Sequence, residues 1–238
     1  MAELDGKIKG WADGKWAAPE TWSFDGRPAL IVNHMQMGIV GQGTISGASR
    51  SQEETAVKKL GIIAKQKQLI DAFRERKLPI VFCSVVGTPI VGLPRPKWGF
   101  IWQMLDSTAP VGHVNNPAVY EIAKTIPELG RRPEEPELYS SGMGPFSDTH
   151  LDAYLRHHGV KDIVYTGWTV HSTIYGSVLE ATGLWYSVVV PGDATGSPER
   201  DKMSGDAVLQ QMLWMYSMVT TVDDVIKHLP QANAASAK

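Results

Sequence analysis

Residues 162–176 combine hydroxyl side chains with the pattern of a strand, a tight turn and the start of a helix. The stretch reads D-I-V-Y-T-G-W-T-V-H-S-T-I-Y-G, in which residues 163–165 are an apolar run typical of a strand. Thr166 and Gly167 end that run, and apolar or small residues return at helical spacing over 174–182. A turn of this kind presents free backbone N–H groups at the carboxyl end of a sheet, where a helix N-terminus favours developing negative charge. The stretch is therefore a candidate place for a nucleophile or an oxyanion.

Three side chains at this turn are candidates for chemistry or for contact with a ligand. Thr173 could attack a substrate if a base removed its proton, although a β-branched hydroxyl is a weak nucleophile. The alternative is an N-cap or first-turn threonine, and Ser172 is a rival for either role. His171 is a candidate for pairing with a neighbouring loop or subunit.

His34 is the candidate acid or base. It follows an unbroken apolar run, A-L-I-V at residues 29–32, which predicts a strand in a sheet that is covered on both faces. A side chain at the end of such a strand reaches the crevice, and an imidazole ordinarily titrates near neutrality. His34 is therefore predicted to act as a general acid or base, and the alternative is a histidine that only hydrogen-bonds a loop.

Four motifs, in the same order along the chain, resemble those of the isochorismatase-like (cysteine hydrolase) superfamily. Residues 166–174, T-G-W-T-V-H-S-T-I, resemble the nucleophile turn T-G-v-x-T-D-x-C-V, and residues 29–36, A-L-I-V-N-H-M-Q, resemble the first-strand motif A-L-L-V-I-D-M-Q. Residues 144–151, G-P-F-S-D-T-H-L, resemble S-A-F-x-G-T-x-L, and residues 188–197 resemble the strand and D-A-t-x-S loop that follows. The resemblance covers nearly the whole chain and implies an α/β fold, a Rossmann-type three-layer sandwich with a mostly parallel central sheet.

The family works with an Asp, a Lys and a Cys, and these three positions are His34, Ser140 and Thr173 in this chain. The resemblance therefore implies a site at these residues, but the usual cysteine mechanism does not carry over. A lysine would repel a protonated imidazole, so a serine at position 140 is consistent with a histidine at position 34. Ser140 could hydrogen-bond His34 or a substrate, and the alternative is an ordinary serine at a strand end.

The resemblance also suggests groups that contact a substrate. Trp168 and Thr169 flank the turn, and the peptide bond between them is expected to be cis, so that N–H groups face an oxyanion. Trp98, Phe100 and Trp102 lie where the family places a helix that helps to wall its pocket. Aromatic walls imply a flat or apolar substrate, whereas ordinary core packing is the alternative.

The chain lacks the residues with which some relatives bind zinc. Those relatives carry Asp and His in the loops after the first two strands, but residues 41–49 and 84–92 contain neither residue type here. The sequence also has no Cys and His cluster at metal-binding spacing. We therefore predict neither a metal nor another cofactor.

Composition argues against several classes of function. The net charge of −2 gives no reason to expect a nucleic-acid partner. No apolar run approaches the roughly 20 residues of a membrane span, and residues 1–9 lack the apolar core of a secretory signal. Cys83 is the single cysteine, which excludes an internal disulfide and favours a reducing cytoplasm as the compartment.

Strands and helices alternate along the chain, as expected for a parallel sheet with helices on both faces. The predicted strands lie at residues 29–32, 78–83, 137–140, 163–165, 186–190 and 219–221. The predicted helices lie at residues 51–76, 100–105, 117–126, 146–158, 174–182, 201–218 and 222–229. We predict an N-terminal extension over 1–27, one hydrolase domain over 28–230 and a frayed tail over 231–238.

Apolar residues outside the predicted core indicate assembly. The N-terminal extension carries Trp11, Trp16 and Trp22, and residues 209–218 are rich in methionine. This is more apolar surface than one domain of this size readily covers. We expect a homo-oligomer, a dimer or a tetramer, with part of the extension in the contact.

Three classes of function remain open from the sequence. The first is a hydrolase that acts on a small aromatic or apolar molecule by acid/base chemistry centred on His34. The second is a hydrolase in which His34 activates Thr173 or Ser172 as a nucleophile. The third is a catalytically silent homologue that binds a small ligand or a protein partner.

Overall fold

The computed structural model describes residues 21–41, 49–86, 98, 117–142 and 144–231, without the side chains of 49–53, 117–119, 200, 211 and 212. The helix predicted at 100–105, the tryptophans at positions 11 and 16 and most of the predicted C-terminal tail lie outside these residues. Among the described residues, no helix is long and apolar enough to cross a membrane.

The centre of the molecule is a parallel sheet. Its strands are β1 (Ala29–Asn33), β2 (Ile80–Val85), β3 (Glu137–Ser140), β4 (Asp162–Trp168), β5 (Ser187–Pro191), β6 (Thr195–Gly196) and β7 (Met218–Thr220). The order across the sheet is β3-β2-β1-β4-β5-β7, with β6 paired to β4, and every one of these pairs is parallel. The α/β fold with a mostly parallel sheet is thus confirmed.

Helices cover both faces of the sheet. They are α1 (Ser49–Lys59), α2 (Ile62–Glu75), α3 (Pro117–Ala123), α4 (Leu151–His157), α5 (Tyr175–Gly183), α6 (Lys202–Ala207) and α7 (Val222–His228). Side chains of α2 and α7 share one core cluster with one face of the sheet, and side chains of α4 and α5 share a second cluster with the other face. This gives the three layers that the sequence predicts.

Several predicted helices have different bounds in the structure, and the one predicted over 117–126 ends at Ala123. The helix predicted over 51–76 is two helices, because Gly61 adopts a φ of 68° and interrupts it. The first of them, α1, begins at Ser49, ahead of the predicted start. The helix predicted over 146–158 begins only at Leu151.

The helix predicted over 201–218 is a succession of short segments. It consists of α6, a π-helical turn over Val208–Met212 and a 3₁₀ turn over Leu213–Met215. The apolar periodicity was therefore a correct sign of helical structure, but it did not distinguish one hydrogen-bonding pattern from another.

The described part of the predicted N-terminal extension packs on the domain. Trp22 donates a hydrogen bond from Nε1 to Asp224 Oδ2 at 3.1 Å and stacks on His228, with ring centroids 4.2 Å apart. Phe24 meets Trp22 edge to face. Residues 21–27 are thereby fastened to α7.

The strand order reverses between β1 and β4, so a crevice is expected at the carboxyl ends of these two strands. From β1 the sheet grows outward through β2 to β3, and from β4 it grows the other way through β5 to β7. In open α/β sheets such a reversal leaves a gap between the connections on the two sides, and ligands bind there.

Candidate functional site

His34 lies directly after β1 at this crevice. Its N–H donates to the carbonyl oxygen of Cys83 at 2.7 Å, which holds the backbone against β2. The residue has a φ of 54°, a left-handed conformation that is uncommon for side chains other than glycine. It is only 2% exposed, and its Nε2 has no hydrogen-bond partner among the described residues.

Burial changes the protonation of His34. Removal from water disfavours the imidazolium and lowers the pKa of His34 to about 3. Burial therefore overturns the expectation that this ring titrates near neutrality. At neutral pH the ring is uncharged and offers one nitrogen as a donor and the other as an acceptor.

Thr173 lies in a π-helical turn, Val170–Ile174, that joins β4 to α5. Its side chain is 3% exposed, and its hydroxyl donates to the carbonyl oxygens of Trp168 at 2.8 Å and Thr169 at 3.1 Å. The hydroxyl proton is thus directed at the backbone. The predicted succession of strand and helix is confirmed, but β4 continues through Thr166 and Gly167 to Trp168, so the turn lies later than predicted. A π-turn stands where a regular helix start was expected.

The peptide bond between Trp168 and Thr169 is cis, as predicted. The side chain of Trp168 is 1% exposed and belongs to the core cluster that includes α2. The hydroxyls of Thr169 and Ser172 lie 2.5 Å apart and hydrogen-bond each other. His171 pairs with Ser197, with 2.8 Å between Nδ1 and Oγ.

Ser140 ends β3 at the same edge of the sheet. It is 1% exposed, and its hydroxyl donates to the carbonyl oxygen of Gly142 at 3.0 Å and more distantly to that of Ser84 at 3.5 Å. The strand register brings Ser140 beside Val85, at the end of the strand next to β1. Its hydroxyl proton, like that of Thr173, is directed at the backbone.

The aromatic wall predicted for the pocket stays a prediction. The side chain of Trp98 is 83% exposed, and Phe100 and Trp102 lie outside the described residues.

Neither a thiolate nor a metal cluster is found near the crevice in the described part of the chain. Cys83 is 2% exposed inside the core, and burial raises the pKa of its thiol well above the ordinary value. No group of three or more His, Cys, Asp or Glu residues among those described could hold a metal ion.

Sequence patterns did not predict a role for two buried carboxamides near His34. Gln36 donates from Nε2 to the carbonyl oxygen of Val85 and accepts from the N–H of Val85, both at 2.8 Å, and so closes the end of β2. Asn33 is 0% exposed and neither end of its amide has a partner among the described residues. The available signal was a carboxamide at the end of an otherwise apolar strand.

The chain matches known proteins over most of its length. The model of the isochorismatase domain matches residues 28–224. An isochorismatase family protein from Burkholderia thailandensis is 25% identical, with a TM-score of 0.61 over 93% of this chain and 100% of that chain. No curated protein matches the chain.

Two further solved structures share the fold. A cysteine hydrolase from Pseudomonas syringae pv. phaseolicola has 16% identity and a TM-score of 0.66 over 91% of this chain and 100% of that chain. N-carbamoylsarcosine amidase from Thermoplasma acidophilum has 16% identity and a TM-score of 0.59, covering 83% of this chain and 97% of that chain. Since the family model also spans well over half of the 238 residues, the chain belongs to the isochorismatase family of hydrolases.

Proposed function

We propose that this protein hydrolyses a small, uncharged, aromatic or apolar molecule without a covalent intermediate, and that His34 is its principal catalytic group. The observation that carries the proposal is the unpartnered Nε2 of a ring that is 2% exposed at the carboxyl end of β1. A buried imidazole nitrogen without a partner is costly, and a water molecule or a substrate group in the crevice would satisfy it.

The proposed chemistry uses the neutral ring as an acceptor. The water oxygen forms a bond to the electrophilic carbon of the substrate while Nε2 takes the water proton, and the leaving group receives that proton as its bond breaks. Negative charge that develops on the substrate oxygen favours the imidazolium in this poorly solvated place, so the pKa of His34 rises as the reaction proceeds. Backbone N–H groups at the start of the turn Val170–Ile174 are suited to hold the oxyanion.

The contacts of the hydroxyl groups favour this mechanism over a covalent one. The proton of Thr173 is donated to the carbonyl oxygens of Trp168 and Thr169, and Ser172 hydrogen-bonds Thr169. A nucleophilic hydroxyl needs a base within hydrogen-bond reach, and no contact of this kind joins either residue to His34.

A second candidate is a catalytically silent homologue that binds a small ligand or a protein partner. The observation that favours it is the lack of charge at His34, Ser140 and Thr173, since a neutral ring and two backbone-bonded hydroxyls are weak catalysts. Such a protein would bind small neutral compounds and release them unchanged.

The test is turnover of a panel of uncharged aromatic esters and amides. His34→Asn is expected to lower turnover about 100- to 10,000-fold, the usual effect of removing a positioned acid or base. Thr173→Ala is expected to cost less, and the exposed His157→Asn serves as the matched control. Near-wild-type turnover in His34→Asn contradicts the proposal, and an equal loss in Thr173→Ala favours the covalent mechanism. Binding without turnover in the wild type favours the silent homologue.

We also propose a cytoplasmic homo-oligomer, a dimer or a tetramer. Large apolar side chains remain exposed in the described part of the chain, among them Met203 and Met215 at 84% and 60%. Light scattering at micromolar concentration tests this assembly, and a monomer contradicts it.

A further inference from the structure

Asn33, the last residue of β1, is a further position at which this chain departs from the family motif. The first-strand motif A-L-L-V-I-D-M-Q has Ile where this chain has Asn33, directly before His34. The other residues of β1 are apolar, and the strand is buried along its whole length. An amide in such a strand is unfavourable unless it has a use, because asparagine fits strands poorly and its polar atoms lose water.

Asn33 is placed to contact a ligand of the proposed site. Side chains alternate along a strand, so Asn33 lies on the same face of the sheet as Ile31. The turn Val170–Ile174, which carries Thr173, packs on that face. The carboxamide therefore adjoins His34 along the strand and shares its face with the turn.

No side chain of β4 covers Asn33 at its own level. The residue opposite it is Gly167, and a Cβ there would lie 2.0 Å from the carbonyl oxygen of Asn33. Any other residue at position 167 would collide with β1. The close approach of the two strands thus requires a glycine, and the residue of β4 directly opposite Asn33 has no side chain to cover the carboxamide.

The amide chemistry defines the group that would satisfy it. Neither Nδ2 nor Oδ1 has a partner among the described residues, so the carboxamide has both a donor and an acceptor to offer. Since the hydroxyls of Ser140 and Thr173 carry no charge, a charged ligand group would lose its hydration without gaining a counter-charge. A neutral group with an acceptor and a donor on the same carbon can accept from Nδ2 of Asn33 and donate to its Oδ1.

We propose that Asn33 is a specificity-determining residue that binds an uncharged substrate group of this kind, as in a carboxamide or a lactam. The inference rests on the proposed function, because it takes the crevice beside His34 to be the substrate site. It is separable from that function, since it concerns which neutral compounds bind and requires no turnover.

Three compounds of similar shape test the proposal on the full chain. Benzamide is neutral and has donor and acceptor side by side, acetophenone has the acceptor alone, and benzoate is charged. In titrations followed by NMR, the wild type is expected to bind benzamide at least about 10-fold more tightly than either of the others. Asn33→Leu, which keeps the volume and removes both polar atoms, is expected to lose this preference while its Tm stays the same or rises.

Ser177→Ala is the matched control, because Ser177 is also 0% exposed with an unpartnered hydroxyl but lies further along α5. It is expected to keep the preference for benzamide. If Asn33→Leu does not fold, Asn33→Ala provides the same comparison. The proposal is overturned if the wild type binds none of the three compounds or shows no preference, or if the preference survives in the Asn33 variant. A failure of the His34 mechanism would appear in turnover and leave these affinities unchanged.

Discussion

Two buried polar regions of this molecule differ in how completely their hydrogen bonds are made. Beside α2, Glu135 accepts hydrogen bonds from Arg74 Nε at 2.7 Å, from Arg74 Nη2 at 2.8 Å and from the N–H of Arg132 at 2.7 Å. At the crevice, the ring of His34 and the amide of Asn33 leave buried polar atoms without partners. In both regions burial removes hydrogen bonds to water. Only in the first region do hydrogen bonds within the protein replace them.

The protonation of the two regions reflects this difference. Burial raises the pKa of Glu135, but hydrogen bonds from Arg74 and Arg132 outweigh burial and leave the pKa below its ordinary value. His34 has burial alone, and its pKa falls to about 3. The hydrogen bonds to Glu135 thus stabilise its negative charge, and through Arg74 they join α2 to the loop before β3. At His34 and Asn33 the hydrogen bonds are missing, and a ligand bound there would supply them.

The largest effect on stability is expected from removing the ion pair between Glu135 and Arg74. Glu135→Ala removes one partner of a pair whose side chains are only 14% and 10% exposed. It leaves the guanidinium of Arg74 with the carbonyl oxygen of Gly130 at 2.7 Å and the exposed carboxylate of Asp71 at 3.7 Å, but without its bidentate partner. We expect a loss of about 3 kcal/mol in the free energy of unfolding. Glu121→Ala is the matched control, since its pair with Lys124 is exposed and is worth less than about 0.5 kcal/mol. Equal losses in urea unfolding for the two variants would contradict the distinction.

A second effect follows from the depressed pKa of His34. Between a pKa of about 6.5 in the unfolded chain and about 3 in the folded protein, the unfolded state binds the additional proton. Above about pH 6.5 the ring is neutral in both states, so it does not make the free energy of unfolding depend on pH. As the pH falls from about 6.5 towards 3, the free energy of unfolding decreases by about 1.4 kcal/mol per pH unit. From about pH 6.5 to pH 5 the wild type should lose about 2 kcal/mol more than His34→Asn.

Urea unfolding of both proteins at the two pH values measures this difference. Other titrating groups are common to the two proteins and cancel. An equal pH dependence in wild type and variant would mean that His34 has the same pKa in the folded and the unfolded protein. His34 would then not be a buried group without partners, and its contrast with the fully hydrogen-bonded Glu135 would be wrong.

Much of the fold was predictable because local and long-range signals agree. The strand Glu137–Ser140 has the predicted bounds, and Thr221 caps α7 by accepting from the N–H of Asp224 at 3.2 Å. The helix over 51–76 was predicted without a break because its apolar spacing continues past Gly61. A single glycine is tolerated in a helix, so its left-handed conformation here depends on packing that the sequence does not display.

The candidate site was predictable in position but not in protonation. Motif spacing brought His34, Ser140 and Thr173 to one edge of the sheet. Residue type alone suggested an imidazole that titrates near neutrality, because solvation depends on the three-dimensional surroundings of the ring. The directions of the two hydroxyl protons likewise depend on backbone carbonyls that no pattern places.

A third and smaller effect concerns Cys83, which lies in the core beneath the crevice. Because its thiol is 2% exposed and burial raises its pKa, iodoacetamide should leave the native protein unmodified. Cys83→Ala should cost about 1 kcal/mol through the small cavity it leaves, with turnover unchanged. Mass spectrometry of native and urea-unfolded samples checks the reactivity. Modification of the native protein with loss of activity would contradict this expectation and point to a catalytic role for Cys83.

The smallest effect is expected at Trp185, which follows the end of α5. Like His34, Trp185 has a positive φ, but here it belongs to the ending of a helix. Trp185 has a φ of 69° and a side chain that is 93% exposed. Its N–H donates to the carbonyl oxygen of Thr182, and the N–H of Tyr186 donates to that of Ala181, both at 3.0 Å. This pair of bonds is the Schellman ending of a helix, in which glycine usually holds the position of Trp185.

Trp185→Gly is therefore expected to raise the free energy of unfolding by about 0.5–1 kcal/mol, because glycine adopts a positive φ without a clash at Cβ. The matched control is Gly159, which holds the same position after α4 with a φ of 65°. A Cβ at Gly159 would meet no atom within 4 Å, so Gly159→Ala should lose about 1 kcal/mol through backbone conformation alone. Urea unfolding measures both changes. A loss of stability in Trp185→Gly would show that the indole makes a stabilising contact, and the positive φ at Trp185 could then no longer be ascribed to the helix ending alone.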